Sequence, residues 1–380
     1  MEPVALYVHW PYCARICPYC DFNVVRDRGR AEEQAALAQA IVRDLTAQAE
    51  RIGPRRLTSI FFGGGTPSLM APAAVARVIE AATSLFAPEP ELEISLEANP
   101  TDAEGARFRG LAKAGVNRLS LGVQSLDDEA LKFLGRNHGA EEARRAAEAA
   151  RAAFPRLSID LIYALPGQTP QAWARELEAG LALGPEHVSP YQLTIEPGTA
   201  FDRAVGRGRF TPPDDEAGAE LYDVTQAVLE AHGFHAYEVS NHARGEAARS
   251  RHNLAVWRGV DYLGVGPGAH GRLTLEGVRT ATVAAPRIAD YLARVEETGL
   301  GWAEATPLSD REAAEERLML GLRIEEGVPL AALEPLALTP GHPRIVSAAE
   351  DGLLEVAGGR LRATPRGRGL LDYVLKRLLV

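Results

Sequence analysis

The chain is poor in cysteine and methionine, with three of each in 380 residues, and nearly as poor in tryptophan, with four. So low and odd a cysteine count excludes a disulfide framework of the kind that staples small secreted domains. Long apolar runs are missing too. No stretch approaches the roughly 20 residues that cross a bilayer as a helix. The opening MEPVALYVH lacks the basic flank and small-residue cleavage site of a signal peptide. Basic charge is not in surplus: 41 Lys and Arg against 51 Asp and Glu leave a formal net charge of −10. Phosphate neutralisation needs clustered Lys and Arg, so this balance argues against a nucleic-acid partner. What is present, 46% hydrophobic and 24% charged residues, is an ordinary globular composition.

The few cysteines are concentrated. Cys13, Cys17 and Cys20 form a C-x3-C-x2-C segment, and Pro11 and Pro18 make that segment a loop rather than a regular helix. Three thiols held for a metal imply a reducing compartment, so the expected location is cytoplasmic. Two metal chemistries compete. With His9 the segment reads H-x3-C-x3-C-x2-C, a set for one zinc ion. A [4Fe–4S] cluster is ordinarily held by four thiolates, so three cysteines leave one iron to another ligand. The spacing resembles the signature of the radical S-adenosylmethionine (SAM) superfamily. That resemblance implies a [4Fe–4S] cluster on Cys13, Cys17 and Cys20, with the amino and carboxylate groups of SAM on the fourth iron.

Along the chain, apolar runs alternate with helical patterns. Strands are expected at 5–8, 57–62, 92–96, 117–121, 157–163 and 187–193, and helices at 31–51, 72–86, 102–114, 170–183 and in a charged region ending near 153. Such repetition implies a parallel sheet with right-handed crossovers. The fold class is α/β, and six strands agree with the partial (β/α)6 barrel of radical SAM proteins. Barrel sites sit at the C-terminal ends of strands, where the unusual residues cluster. The loop at 63–67 reads GGGTP, and its bare backbone suits close approach to a ligand. Asp160 interrupts an apolar strand and needs a partner; a ribose diol is one, with Gln124 nearby. Arg136 suits a carboxylate through a bidentate contact. The resemblance implies that Tyr7, Gly64, Gly65, Thr66, Glu97, Gln124, Arg136 and Asp160 line the SAM site.

Longer matches narrow the family. The segments LYVHWPYC at 6–13, GGGTPS at 63–68, GVQS at 122–125 and SIDLIYALP at 158–166 resemble the oxygen-independent coproporphyrinogen oxidase (HemN) group. In the oxidases the cysteine motif continues to C-x3-C-x2-C-x-C, whereas Phe22 occupies that last position here. The segments YEVS at 237–240, HNLAVW at 252–257 and YLGVGPGAHG at 262–271 are similar to the HemW haem-chaperone branch, whose haem motif is HNxxYW. Val256 replaces its tyrosine. The resemblance implies haem contact by His252, whose imidazole suits haem iron, and by Trp257, whose indole suits a porphyrin face.

Three domains are expected: a radical SAM core at 1–235, an extension with the haem motif at 236–305, and a winged-helix-like α+β domain at 306–380. The last holds a helix from Ser309, a hairpin around Gly358 and Gly359, and a helix over 366–378. DNA binding does not follow from that shape. The implied function is binding of haem and its transfer to haem-requiring acceptor proteins, respiratory enzymes among the candidates. Oxidative decarboxylation of coproporphyrinogen, and another radical SAM reaction such as methylation of a planar aromatic, stay open. So do peripheral membrane contact, a dimeric state, covalent haem attachment and SAM cleavage.

Overall fold

A twelve-stranded sheet runs through most of the chain in the computed structural model, which describes residues 1–379. Its strands are β1 (Pro3–Trp10), β2 (Arg56–Gly64), β3 (Ala87–Ala98), β4 (Arg118–Gln124), β5 (Arg156–Tyr163), β6 (His187–Gln192), β7 (His235–Glu238), β8 (Asn241–Ala243), β9 (Asp261–Val265), β10 (His270–Leu275), β11 (Val278–Ala284) and β12 (Trp302–Pro307). The first six lie side by side in chain order, all parallel. They are the expected partial (β/α)6 barrel. The second half of the chain adds to both edges. Strand β9 pairs parallel to β1 and continues antiparallel into β10, β11 and β12, while β8 and β7 follow β6 antiparallel.

Helices α1 (Ala31–Ile52), α2 (Pro72–Leu85), α3 (Phe108–Lys113), α4 (Ala140–Ala153), α5 (Pro170–Leu181) and α6 (Asp215–Ala231) follow the strands. Their starts are legible in side chains. Pro170 opens α5 while Thr169 Oγ1 accepts from Ala172 N at 3.2 Å, and Asp214 Oδ1 accepts from Ala217 N at 2.9 Å to cap α6. Apolar strand residues such as Ile60, Phe62, Leu96, Leu119, Leu121, Ile159 and Leu161 join one large core with Leu37, Ile41, Val75, Val78 and Trp173 of the helices. Trp173 stacks on Tyr163 at 5.2 Å and donates to Thr225 at 2.8 Å, so α5 is tied to β5 and α6 together.

Two expected helices of the barrel are broken. The 102–114 helix is two pieces, Asp102–Gly105 and α3, with Thr101 Oγ1 accepting from Glu104 N at 3.3 Å. The charged stretch is likewise Asp128–Phe133 followed by α4, and it breaks where Gly135 takes φ +68°. A Cβ there would lie 2.5 Å from Pro18 Cδ, so the break lets the chain press against the cysteine segment.

Beyond β6, α7 (Arg251–Trp257) and α8 (Ile288–Thr298) precede α9 (Asp310–Gly321), which opens on a capping box between Ser309 and Glu312. With α10 (Pro343–Glu350), a hairpin of Leu354–Ala357 and Arg360–Ala363, and α11 (Leu371–Leu379), it encloses a second core around Leu318, Leu333, Ile345, Leu361 and Val374. The expected terminal helix over 366–378 also divides, into Pro365–Gly369 and α11. This unit is tied to the sheet by Arg323, which donates to Glu238 Oε1 at 2.6 and 2.8 Å, and by Arg249, which pairs with Glu325 at 2.6 Å.

One buried carboxylate locks the extension to the barrel. Asp44 of α1 accepts from Tyr291 Oη at 2.8 Å, Gly301 N at 3.0 Å and Gln48 at 2.9 Å, and Tyr291 Oη in turn accepts from Gly266 N at 3.0 Å. Burial pushes the Asp44 carboxyl above its usual range, with these three donors acting against that. Tyr291→Phe strands an Asp44 oxygen and the Gly266 N–H. We expect it to cost about 1–3 kcal/mol in denaturant unfolding at an unchanged m-value.

Candidate functional site

After Trp10 the chain turns through Pro11 into the cysteine segment, whose ends pair as a short parallel ribbon, Tyr12–Cys13 with Val25–Arg26. The segment lies at the C-terminal end of β1, and the loop after β2 clasps it. Gly65 N donates to Trp10 O at 2.7 Å and Thr66 N to Tyr12 O at 2.8 Å. Only glycine permits this approach. A Cβ on Gly65 would lie 2.7 Å from Tyr12 O and 2.8 Å from Trp10 O, and one on Gly64, at φ +104°, would lie 2.6 Å from the His9 ring.

Arg136 closes the other side. Its Nη1 stands 3.2 Å from Cys17 Sγ and 3.4 Å from Tyr19 Oη, and its Nη2 donates to Asn99 Oδ1 at 2.5 Å and Gly122 O at 3.1 Å. Asn99 also donates to Thr66 Oγ1 at 3.0 Å, so the guanidinium, Asn99, Thr66 and the thiols of Cys17 and Cys13 form one connected wall. Burial pushes the Cys13 thiol up to about 11, against a hydrogen bond to Thr66, and it raises Cys20 as well. Without metal, Cys13 therefore stays protonated at neutral pH, and metal binding must release its proton. Three thiols on one loop, beside a guanidinium whose buried Nε has no partner among the described residues, fit an iron–sulfur cluster with an anionic group next to it. His9 does not join them. Its Nδ1 is 3.0 Å from Tyr7 Oη and its Nε2 is 2.8 Å from Asn23 O, so both ring nitrogens are engaged and the one-zinc set lacks its fourth ligand.

The other expected SAM residues gather below this loop, on the inner face of the barrel. Glu97 Oε2 accepts from Gly64 N at 3.2 Å. Burial, then repulsion from Asp160, pushes its carboxyl up to about 8. Asp160 is pushed up to about 6 by burial, against Arg118 and hydrogen bonds from Ser120 and Ser189. Glu97 also raises the phenol of Tyr7, which burial has already pushed up. Gln124 ends β4 in the left-handed region, at φ 64°, a strained backbone for a residue other than glycine. Its amide nitrogen crosses over Gly122, where a Cβ would lie 2.9 Å from it.

The two expected haem residues part company. Five positions on a helix turn a side chain through about 140°, so His252 and Trp257 leave α7 in different directions. His252 points into the barrel. It is 5% exposed, its Nδ1 lies 3.0 Å from Ser59 Oγ, and its ring stacks on Phe61 at 4.9 Å and 26°. Tyr7 lies beyond, at 6.4 Å between ring centroids. Burial lowers the His252 pKa to about 4, so the imidazole is neutral at neutral pH. Trp257 instead packs at the seam with the C-terminal unit, near Tyr237, Leu254 and Ile324, with the Arg323 guanidinium 4.6 Å over its ring.

Several residues were not anticipated. Along the barrel, every second strand residue turns inward, and those residues are polar in successive layers. Ser59, Glu93, Arg118, Arg156 and His187 lie near the strand starts, and Ser95, Ser120, Ser158 and Ser189 follow above them. Period-2 polarity within the runs RLSLGVQ and RLSIDLIY is the signal that finds those of β4 and β5. Asn99 and Tyr19 carry no such signal.

The chain matches the model of the radical SAM superfamily over residues 7–179 and that of the HemN C-terminal domain over 308–370. It is 41% identical to the mitochondrial radical S-adenosyl methionine domain-containing protein 1 of Bos taurus, over 100% of this chain and 88% of that protein. Two proteins named heme chaperone HemW are also similar. The one from Bacillus subtilis is 36% identical over 85% of this chain and 84% of its own length, and the one from Mycobacterium tuberculosis is 35% identical over 100% and 95%. Among solved structures, coproporphyrinogen III oxidase (HemN) from Escherichia coli superposes with a TM-score of 0.81 at 23% identity, over 99% of this chain and 90% of that one, which is a likeness of fold.

The clasp is open to a direct test. Gly65→Ala drives a methyl into two backbone carbonyls, whereas Gly206→Ala meets nothing within 4 Å. After anaerobic reconstitution, iron and sulfide per chain should fall at least several-fold in the first variant and match wild type in the second.

Proposed function

Because the chain belongs to the radical SAM superfamily, and within it to the family of proteins named heme chaperone HemW, we propose that it binds haem and passes it to haem-requiring acceptor proteins. The reading is carried by one observation above all. Relatives bearing that name are 35–36% identical over 85–100% of the chain. The coproporphyrinogen oxidase likeness is one of fold, and Phe22, 60% exposed, offers no thiol where the oxidases have their further cysteine.

In this reading Cys13, Cys17 and Cys20 hold a [4Fe–4S] cluster, and SAM, once bound, supplies the ligands of its fourth iron. Arg136, with Asn99 fixing its fork, faces the SAM carboxylate. The Gly64 and Gly65 backbone, Thr66 and Tyr7 border the cluster end, and Glu97, Gln124 and Asp160 offer acceptors to the amino group and ribose. His252 supplies a neutral imidazole to haem iron from inside the barrel, and Trp257 steadies the far side of α7. Residues 1–235 are then the cofactor core, 236–305 the haem extension and 306–380 the unit that braces it. The finer reading is a protein of a reducing compartment, the cytoplasm, with respiratory enzymes among the candidate acceptors. No helix among the described residues is long and apolar enough to cross a membrane.

Haem titration of the anaerobically reconstituted protein tests this directly. Wild type should show saturable Soret absorption at one site, and His252→Ala should weaken it at least tenfold, with coproporphyrinogen left intact. Absence of specific haem binding, together with SAM-dependent loss of propionate carboxylates, would make the chain an oxidase instead.

A further inference from the structure

An imidazole that ligates a metal presents one ring nitrogen, and whatever holds the other nitrogen sets its tautomer and its angle. In this barrel the second nitrogen of His252 is held. Ser59, fully buried on the inner face of β2, places Oγ 3.0 Å from Nδ1, and this is its only side-chain hydrogen bond among the described residues. Nε2 makes none among the same residues, and Phe61 fixes the plane of the ring by stacking against it.

The backbone of the same residue is fixed by a second strand. Glu93 of β3, 1% exposed, lies directly across from Ser59 in the sheet register. Its two oxygens accept from the backbone N–H groups of Arg251, at 3.0 Å, and His252, at 3.1 Å. These are two of the donors that the first turn of α7 leaves without helical partners. Arg156, 2.8 Å away, neutralises the carboxylate, and Arg118 also holds its pKa down against burial. One strand therefore sets the position of His252 and its neighbour sets the rotation of the ring.

We propose that Ser59, backed by Glu93, is the positioning residue that commits His252 to meeting haem iron through Nε2. When Nε2 binds iron, Nδ1 carries the proton and donates it to Ser59 Oγ. The inference rests on the haem reading above and deepens it, since it names the residue that fixes which ring nitrogen meets the iron and how the ring is turned.

The test uses the full-length, cluster-reconstituted chain and four proteins: wild type, Ser59→Ala, Ser59→Thr and His252→Ala. Haem is titrated by Soret absorption, the spin state of the ferric complex is read by electron paramagnetic resonance, and iron content reports on the cluster. Loss of a partner to a ligating histidine costs typically 10- to 100-fold in metal affinity. Ser59→Ala should weaken haem binding by about that factor and change the spin-state signature at unchanged iron content, and Ser59→Thr, which keeps the hydroxyl, should restore both. If Ser59→Ala keeps wild-type affinity and spectrum while His252→Ala has lost haem, the inference falls and the haem reading stands. If His252→Ala itself binds as wild type does, the haem reading falls and takes the inference with it. Failure of Ser59→Thr to restore either property, in protein with full iron content, would reduce Ser59 to a packing residue and overturn the assignment.

Discussion

A parallel barrel that turns charged residues inward has to satisfy each of them without bulk water. That constraint organises this molecule. Unpaired, a buried carboxylate or guanidinium is heavily penalised, so the residues that come inward do so in sets. Glu93 is flanked by Arg156 and Arg118, His187 lies between Ser158 at 2.7 Å and Tyr237 at 2.7 Å, and Asp160 is held by Ser120 and Ser189. The apolar core is displaced to the other face of the same strands, under the helices. The inner face is thereby left as a polar lining that runs from the helix of the HNLAVW segment to the cysteine loop.

The two ends of that lining are joined through a few side chains. His252 stacks on Phe61 and approaches Tyr7, the Tyr7 hydroxyl meets His9, and His9 reaches the backbone of Asn23, three residues past Cys20. Every member is buried or half-buried. A shift of the ring at one end therefore has a contiguous physical route to the loop at the other.

The cysteine loop was readable because its chemistry is local: three thiols within eight positions need no knowledge of the fold. Glu97 and Asp160 were readable for a related reason, Glu97 from its place at a strand end and Asp160 as a carboxylate in an apolar run. Ser59 and Glu93 were not. A serine and a glutamate in a strand are commonplace, and what gives them meaning is a helix 193 and 159 residues away. The six-strand barrel followed from alternating patterns, whereas the place of β9 beside β1 did not, because pairing order between distant strands is absent from either strand's own sequence. The separation of Trp257 from His252 follows from helical geometry alone, yet a motif read as a string of letters conceals it.

The pairing of β9 with β1 also sets a schedule. The back of the cysteine loop is built from residues that come much later in the chain: a Cβ on Gly266 would lie 2.2 Å from His9 O, and Asn23 donates to the carbonyls of Pro267 and Pro286 at 2.9 and 2.8 Å. Synthesis runs from the N-terminus at about 5–20 residues per second. The thiols thus emerge early and wait on the order of tens of seconds before the segment that shapes their surroundings exists. Contacts of such long range are slow to close even then. For that interval the three cysteines are exposed on an unfinished scaffold, and the chain depends on a reducing medium to keep them until the barrel can receive iron.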